Sequence, residues 1–269
     1  MPFSELRQRL EQSRYYDWTM RAALIAYSLF VLFFDVVVFL NQVLARPSPL
    51  GTPDSGVVMT VLARVCQWMF IALFAILPVF RLRPIAKSAR ILPRLAPLAA
   101  IVLSPMFLFL ERAPSNLAVN FISVALSLVA AAMAVVTLTF LGRSFSIMPE
   151  ARRLVTDGPY KMVRHPLYLC EVAIVFAMFV QYRSAAAAVL FILIAGVEVA
   201  RAIYEEAVLA RAFPEFEAYR RSTNFLLPRN PIRFFALFVA DRAARRRLAA
   251  VVICALGLLE LVMALPRLV

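Results

Sequence analysis

Two short polar blocks hold the residues whose types and spacing best suit chemistry. Residues 158–168 read GPYKMVRHPLY and contain His165, the only histidine of the chain. Residues 201–209 read RAIYEEAVL, beginning with Arg201 and including Glu205. An imidazole changes charge near neutral pH, and a guanidinium binds both oxygens of a carboxylate. The set could hold an amino acid-like ligand, with Glu205 on its ammonium and Arg201 on its carboxylate.

Each block taken alone also has a simpler interpretation. Arg201 and Glu205 are four residues apart on a predicted helix and share one face, where an ion pair contributes only about 0.3–0.5 kcal/mol. From this pair alone the structural interpretation is favoured, and a lone interfacial histidine is commonly a hydrogen-bonded structural residue. Pro166 predicts that a helix begins directly after His165. The first amides of that helix could receive an anionic group.

Membrane-spanning helices must position the two blocks. The chain has 269 residues, of which 63% are hydrophobic and 17% charged, against about 45–50% and about 25% in an ordinary soluble domain. A spanning helix needs about 20 apolar residues. The sequence therefore predicts an all-α, polytopic helical membrane protein with about seven transmembrane helices, at Ala22–Leu44, Val57–Phe80, Leu95–Leu110, Leu117–Leu141, Pro166–Val180, Ala185–Ile203 and Leu248–Leu265. It divides into four N-terminal spans (1–141), a core with both blocks (142–231), and an interfacial segment with the last span (232–269). Within the core, Ala202–Arg221 is predicted to continue from the hairpin as a charged, cytosolic amphipathic helix that Pro214 breaks.

Basic residues alternate between the ends of these spans. Taken in order, the segments outside the spans carry 4, 1, 5, 1, 5, 1, 10 and 1 Lys or Arg residues. Since cytoplasmic loops are enriched in Lys and Arg, the N-terminus is predicted to be cytosolic and the C-terminus outside, in a multi-pass protein of the bacterial inner membrane. The net charge of +13 is explained by this enrichment, so no nucleic-acid partner is predicted. Both polar blocks then face the cytosol.

A very short connection joins the fifth and sixth predicted spans. Only residues 181–184, QYRS, separate them, so the two spans must form a tight antiparallel hairpin. The hairpin returns Arg201 and Glu205 to the membrane face where His165 enters. The two blocks are therefore predicted to be adjacent in space.

Together the blocks resemble the isoprenylcysteine carboxyl methyltransferase family and its phospholipid methyltransferase relatives. The resemblance runs from about Gly142 to Pro228, roughly a third of the chain. The matched residues are Leu154, Val155, Thr156, Gly158, Pro159, Tyr160, Val163, Arg164, His165, Pro166, Tyr168, Arg201, Glu205, Glu206, Leu209, Phe213, Tyr219 and Pro228. Departures are Cys170, where the family usually has Gly, and Phe213-Pro214, where it often has Phe-Gly.

The resemblance implies a membrane enzyme with a C-terminal catalytic region that uses S-adenosyl-L-methionine. It implies that the cofactor is bound by Arg153, Leu154, Val155, Tyr160, His165, Pro166, Leu167, Tyr168, Glu205 and Glu206, and that the catalytic residues are His165 and Arg201, with Arg201 on the methyl acceptor. The expected acceptor is a carboxylate on a lipophilic or lipid-modified small molecule or peptide in the membrane. A carboxylate is already ionised near neutral pH, so its methylation needs no general base.

Several alternatives stay open. A phospholipid or other lipid amine would need a base, and His165 or a carboxylate is then a candidate. A sterol-type membrane reductase and a non-catalytic membrane protein come next. The positions of the 6 glycines exclude a GxGxxG fingerprint and so a Rossmann-type enzyme. One histidine and scattered cysteines predict no metal site, and the oligomeric state stays open.

Charged residues inside the predicted spans are candidates for function by default. Pairing between helices or snorkelling to an interface is the favoured interpretation for Asp35, Arg64 and Glu260. Glu171 and Glu198 lie on the hairpin near the predicted site, and a functional interpretation stays open for both.

Overall fold

A computed structural model describes residues 14–44, 55–88, 90–111, 113–114 and 116–264. Five basic residues of the charge series lie outside these ranges: Arg7, Arg9, Arg46, Arg112 and Arg267. So does Leu265, the last residue of the predicted seventh span.

The described chain is almost entirely helical. Its helices are α1 (Arg14–Leu44), α2 (Ser55–Phe80), α3 (Ile91–Leu103), α4 (Leu117–Leu141), α5 (Pro166–Tyr182), α6 (Ala185–Ala212), α7 (Phe216–Ser222), α8 (Pro231–Ala240) and α9 (Arg242–Ala264). Short 3-10 turns cover Ser104–Phe109, Gly142–Ser144 and Gly158–Lys161. Two short strands, β1 (Ala86–Lys87) and β2 (Glu150–Ala151), pair antiparallel.

Four helical stretches are long and apolar enough to cross a membrane: Arg21–Asn41, Val58–Phe80, Leu117–Ser144 and Ala185–Ala212. They coincide with the first, second, fourth and sixth predicted spans. The third and fifth predictions fall on the shorter apolar helices Ile91–Phe107 and Pro166–Tyr182, and the seventh falls within α9. The predicted all-α, polytopic membrane class is confirmed, while the number of seven spans stays a prediction.

The main core lies between α2, α4, α5, α8 and α9. Its buried side chains include Val65, Leu138, Leu167 and Phe234. A smaller cluster joins the end of α3 to the hairpin of α5 and α6 through Phe107, Tyr182 and Ile194. The outward face of α1 is apolar, as Phe33 with 70% of its surface exposed illustrates, which suits contact with lipid.

A proline, a residue in the left-handed conformation and a serine cap set the boundaries of the two hairpin helices. Pro166 occupies the first turn of α5, Arg183 ends that helix in the left-handed conformation, and the Ser184 hydroxyl caps α6 by accepting a hydrogen bond from the Ala187 amide. The predicted tight hairpin is therefore present. Helix α6 runs nine residues beyond the predicted span end at Ile203, to Ala212, and Pro214 separates it from α7.

The connections that were predicted to face the cytosol gather at one end of the bundle. The 81–88 connection pairs with the 143–151 loop through β1 and β2 and through the hydrogen bond from the Leu82 amide to the Arg143 carbonyl, 2.8 Å long. Residues 163–165 pair in turn with residues 224–225. Loops predicted to share the cytosolic side are thus hydrogen-bonded to one another.

Candidate functional site

The approach to α5 is a tight turn built on Gly158. Gly158 has a φ of +57°, a region that L side chains rarely adopt, and a Cβ at this position would lie 2.4 Å from the ring of Phe140. Only glycine fits both the dihedral and the close packing. The turn buries Tyr160, whose carbonyl accepts a 2.7 Å hydrogen bond from the hydroxyl of Tyr219 in α7. The turn and α7 are thereby fixed to each other.

Burial controls the protonation of these two tyrosines. It raises the pKa of Tyr160 well above the ordinary value, and the negative charge of Glu205 raises it further. Burial also raises the pKa of Tyr219, although the nearby Arg164 acts in the opposite direction. Both phenols therefore stay protonated, and the neutral phenol of Tyr219 donates its hydrogen bond to the Tyr160 carbonyl.

Arg164 joins three segments of the chain. Its Nε donates to Glu206 Oε1 of α6 at 2.6 Å, and its terminal nitrogen donates to the carbonyls of Arg220 at 2.9 Å and Thr223 at 2.6 Å. Its side chain is only 10% exposed. The guanidinium thus holds the end of α7 and the following residues against α6, with a carboxylate to balance its charge.

His165 lies in an enclosed position at the start of α5. It is 4% exposed, and its Nε2 lies 3.2 Å from the same Glu206 Oε1 that binds Arg164. Its ring stacks on Tyr168 at 5.5 Å between centroids and meets Phe225 edge-on at 5.3 Å. The His165 side chain does not cap α5, so the first amides of that helix are not satisfied by it.

Tyr168 connects the two polar blocks directly. Its hydroxyl donates a 2.7 Å hydrogen bond to Glu205 Oε2, and the Arg201 guanidinium lies 4.7 Å from the centre of its ring. Tyr168 is buried, whereas Glu205 is partly exposed. The predicted adjacency of the blocks is present, and one oxygen of Glu205 is oriented by a buried phenol.

Arg201 is held by two carboxylates within the hairpin. One terminal nitrogen donates to Glu198 Oε2 at 2.6 Å and to Glu171 Oε2 at 3.2 Å. Arg201 and Glu198 are 8% and 3% exposed. The Nε of Arg201 is buried and has no hydrogen-bond partner among the described residues. Among the described residues, the ion pairs of Arg201 are thus with Glu198 and Glu171, in place of the i,i+4 pair with Glu205 that the simpler interpretation of the two residues implied.

Charge is unevenly distributed around Arg201. Three carboxylates, those of Glu171, Glu198 and Glu205, act on this one guanidinium. Arg164 and Glu206 neutralise each other nearby. The carboxyl groups around this position therefore outnumber the single guanidinium that they share. Such a site attracts cationic groups and repels anionic ones.

The predicted cofactor residues occupy three kinds of position. Tyr160, His165, Tyr168, Glu205 and Glu206 meet at the contacts described above. Pro166 and Leu167 are buried in the first turn of α5, and Val155 packs in the main core. Arg153 is exposed and Leu154 partly buried, whereas the neighbouring Arg152 is buried and pairs with Glu150.

Three contributors to these contacts were not among the predicted site residues. Glu171 and Glu198 were placed near the predicted site with a functional interpretation left open, and their spacing of three residues from Tyr168 and Arg201 puts them on the same helix faces. Arg164 belongs to the matched motif, but its carbonyl partners come from a segment that no sequence spacing connects to it.

Comparison with known proteins agrees with this arrangement. Residues 115–215 match the model of the phospholipid methyltransferase family, a stretch that contains α4, the turn, the hairpin and both polar blocks. The chain is similar to the nickel-cobalt-cadmium resistance protein NccN of Alcaligenes xylosoxydans xylosoxydans, with 34% identity over 111 residues, 39% of this chain and 52% of the relative. It is also similar to the cobalt-zinc-cadmium resistance protein CzcN of Cupriavidus metallidurans, with 42% identity over 77 residues, 28% of this chain and 36% of the relative.

These matches cover about half of the first relative and about a third of the second. The family predicted from the two polar blocks is nevertheless confirmed by the independent match to residues 115–215. Residues 115–215 thus match the model of a family of integral membrane methyltransferases that includes the isoprenylcysteine carboxyl methyltransferases.

Proposed function

We propose that this chain transfers the methyl group of S-adenosyl-L-methionine to an amine on a membrane-partitioned acceptor. The family supports a membrane methyltransferase. The observation that carries the choice of acceptor is the pairing of Arg201 with both Glu171 and Glu198. A carboxylate acceptor, which the sequence alone favoured, is the second candidate.

The chemistry of the site residues fits the proposed cofactor. Glu205, oriented by Tyr168, would pair with the ammonium of the cofactor's amino acid portion, and the uncapped first amides of α5 would suit its carboxylate. When bound, S-adenosyl-L-methionine supplies an electrophilic methyl group on a positively charged sulfur. The carboxylate excess around Arg201 favours such a cation by simple attraction.

The contacts of Arg201 argue for an amine. A carboxylate acceptor would approach a guanidinium whose terminal nitrogen is already bound to Glu171 and Glu198, and it would be repelled by both. An acceptor ammonium would instead be attracted. One feature of Arg201 favours a carboxylate acceptor. Its buried Nε–H has no hydrogen-bond partner among the described residues, and an acceptor carboxylate could accept that hydrogen bond.

An amine acceptor must lose a proton before it can attack. Alkyl ammonium groups have pKa values of about 10, so the enzyme must accept that proton near neutral pH. Carboxylate oxygens of Glu171 or Glu198 are the groups that we propose for this task. Arg201 then positions these two carboxylates and does not hold the acceptor itself, while His165 forms a wall of the cofactor cleft, fixed by Glu206.

We propose that the reaction takes place at the cytosolic face of the bacterial inner membrane. The alternation of basic residues between the ends of the spans predicts that both polar blocks face the cytosol. The cofactor would arrive from the cytosol and the lipophilic acceptor from the bilayer. The metal-resistance names belong to the relatives, and we take no metal-handling role from them.

Cofactor binding tests the site assignment. We expect the purified full-length protein to bind S-adenosylhomocysteine, and Glu205→Gln to weaken this binding at least about tenfold, or about 1.4 kcal/mol. Glu217→Gln is the matched control, because Glu217 is a half-exposed glutamate of α7 that pairs only with Arg220 and Arg221 in the described chain. Unchanged binding by Glu205→Gln would sink the site assignment, and binding of NADPH in place of S-adenosylhomocysteine would establish the reductase alternative.

Methyl transfer to a membrane extract tests the acceptor. With labelled S-adenosyl-L-methionine, an amine acceptor gives product that resists mild base, whereas a carboxylate acceptor gives a methyl ester that base hydrolyses. For an amine, Glu171→Gln and Glu198→Gln should lower kcat and alter its dependence on pH while S-adenosylhomocysteine still binds. A base-labile product would establish the carboxylate alternative.

A further inference from the structure

Helix α8 has two apolar faces, and the described chain covers only one of them. Phe234 and Phe238, four residues apart, are buried in the main core. Ile232, Phe235 and Val239 follow helical spacing on another face, and they are 82%, 52% and 61% exposed. These three side chains form an exposed apolar stripe, a feature that marks a contact surface.

The connection between α8 and α9 places the stripe at the predicted membrane boundary. Only Asp241 separates the two helices, and the apolar part of α9 begins at Leu248, where the last predicted span starts. Exposed apolar side chains continue along α9 at Val252 and Ile253. Helix α8 therefore lies where a predicted spanning helix leaves the bilayer, which is the usual position of an interfacial amphipathic helix.

Exposed arginines surround the stripe. Five of them form no ion pair and no side-chain hydrogen bond with any other residue that the structure describes. Residues 225–247 contain a single acidic residue, Asp241, which is already bound by Lys161 and by two amides of α9. The positive charge around α8 is thus not compensated within the described chain. The five are Arg229 before α8, Arg233 within it, and Arg242, Arg245 and Arg246 at the start of α9.

An apolar stripe among uncompensated arginines fits a bilayer leaflet that carries anionic headgroups. Apolar side chains of an interfacial helix enter the boundary between headgroups and acyl chains. Each Lys or Arg near an anionic surface strengthens binding about fivefold. A second copy of this chain fits poorly, because a symmetric contact through the stripe would place the same arginines opposite one another.

We propose that α8 and its five arginines form a docking surface for anionic lipids of the cytosolic leaflet. The stripe enters the headgroup boundary, and the guanidinium groups bind lipid phosphates. Helix α8 packs against the Gly158–Lys161 turn, and Asp241 at the end of α8 binds Lys161 of that turn. Docking therefore fixes the height of the turn above the bilayer. It does not depend on methyl transfer and is tested without it.

A fluorophore on α8 of the full-length protein measures docking. Cys254→Ser removes the exposed cysteine, and Cys66 and Cys170 are buried, so Ala236→Cys beside the stripe takes the label. The protein is placed in phosphatidylcholine vesicles with or without about one quarter phosphatidylglycerol, and a quencher carried by the lipid reports the docked fraction. We expect the docking equilibrium constant to be at least about tenfold higher with phosphatidylglycerol. This difference should shrink from about 0.1 to about 1 M salt, because the screening length falls from about 10 to about 3 Å.

Arginine variants test the role of charge. Arg233→Gln combined with Arg246→Gln should weaken docking on phosphatidylglycerol vesicles at least about tenfold and leave docking on pure phosphatidylcholine unchanged. Arg220→Gln combined with Arg221→Gln is the matched control, because it removes the same charge from two arginines of α7 that already pair with Glu217. The control should change docking less than about threefold.

Stripe variants test the apolar contribution. Ile232→Ser combined with Val239→Ser should weaken docking on both kinds of vesicle, and the melting temperature of each variant in detergent checks that it is folded. Equal docking on the two kinds of vesicle at low salt, or an effect of the α8 arginine variant no larger than that of the control, would overturn the proposal. So would protection of the fluorophore that rises with protein concentration and is insensitive to the lipid quencher, since that result would place a second copy on the stripe.

Discussion

Arg164 offers the sharpest test of how the site is held together. Replacement by glutamine removes the hydrogen bonds to Glu206, to the Arg220 carbonyl and to the Thr223 carbonyl. It also leaves the Glu206 carboxylate, only 15% exposed, without its arginine. We expect the segment after α6 to open more often, because Arg164 is its main link to the start of α5.

The magnitude follows from the contacts. Hydrogen bonds that involve a charged group contribute about 1.5–3 kcal/mol each, and breaking a buried ion pair by removing one partner costs about 3–5 kcal/mol. The three contacts share one guanidinium and are not additive, and the remaining exposure of Glu206 permits partial hydration. We therefore expect Arg164→Gln to lower the free energy that favours the closed segment over the open one by about 3 kcal/mol. This change corresponds to a roughly hundredfold increase in the population of the open form.

Limited proteolysis measures that population. When a segment opens and closes quickly, its cleavage rate follows the population of the open form. Thermolysin cleavage near the exposed Leu227 should accelerate roughly a hundredfold in Arg164→Gln, and less in Arg164→Lys, because an ammonium keeps the charge but cannot reach all three acceptors. Arg221→Gln, which removes only an exposed pair with Glu217, should change the rate less than about fivefold, since such surface pairs contribute about 0–1 kcal/mol.

The reasoning would be refuted by cleavage of Arg164→Gln at the same rate as Arg221→Gln. That result would mean that the segment after α6 is held by packing, and that the arginine of the first polar block has no role in closing it. Slower cleavage of Arg164→Lys than of the unmodified protein would also contradict it, because the lysine makes fewer of the same contacts.

Two further predictions concern other parts of the molecule. Gly158→Ala should lower the free energy of unfolding by at least about 2 kcal/mol, because alanine is strained at a positive φ and its Cβ would overlap the Phe140 ring. Gly196→Ala, where a Cβ meets open space, should leave the free energy of unfolding unchanged or raise it by up to about 1 kcal/mol. Equal melting temperatures for the two variants would contradict this. Asp241 accepts hydrogen bonds from the first amides of α9 and from Lys161, and these lower the pKa of its carboxyl. The ionised carboxylate of Asp241 therefore stabilises the fold above the ordinary pKa of 3.8, and this stabilisation is lost as the pH falls through the lower pKa of the folded state. Asp241→Asn should reduce the change in melting temperature between about pH 5 and 3. The change is small because Lys161 is half-exposed.

The fold was predictable where apolar composition, proline and short connections determine the local structure. The apolar stretches, Pro166 and the QYRS connection were enough to predict the hairpin and the first residues of both its helices. The continuation of α6 beyond Ile203 was predictable as well, because residues 202–221 predict a charged amphipathic helix that Pro214 interrupts, and the structure ends α6 at Ala212 and begins α7 at Phe216. Pairing of β1 with β2 was missed, since two-residue strands in separate loops leave no periodic pattern.

The sequence predicted which residues lie together at the site better than it predicted which of them form ion pairs. The two polar blocks gave His165, Tyr168 and Glu205, which the structure joins by stacking and by one hydrogen bond. The resemblance assigned Arg201 to the acceptor and Glu205 to the cofactor, whereas the structure pairs Arg201 with Glu198 on its own helix and with Glu171 on the neighbouring helix. For Arg64 and Asp35 the favoured interpretation was pairing between helices or snorkelling, with no partner named, and the structure shows that the two residues pair with each other across α1 and α2.

The buried group of Arg201, Glu171 and Glu198 changes how variants of Arg201 must be interpreted. Charged groups away from water are tolerated only when they are paired, so removing Arg201 would leave two facing carboxylates in the hairpin. Loss of activity in Arg201→Ala would follow whether this arginine contacts the acceptor or only balances Glu171 and Glu198. The glutamate variants are more informative, because Glu198→Gln keeps the shape and leaves Arg201 paired with Glu171. If Arg201 binds an acceptor carboxylate, Glu198→Gln should lower KM by reducing repulsion; if Glu171 and Glu198 accept a proton from an amine, it should lower kcat instead.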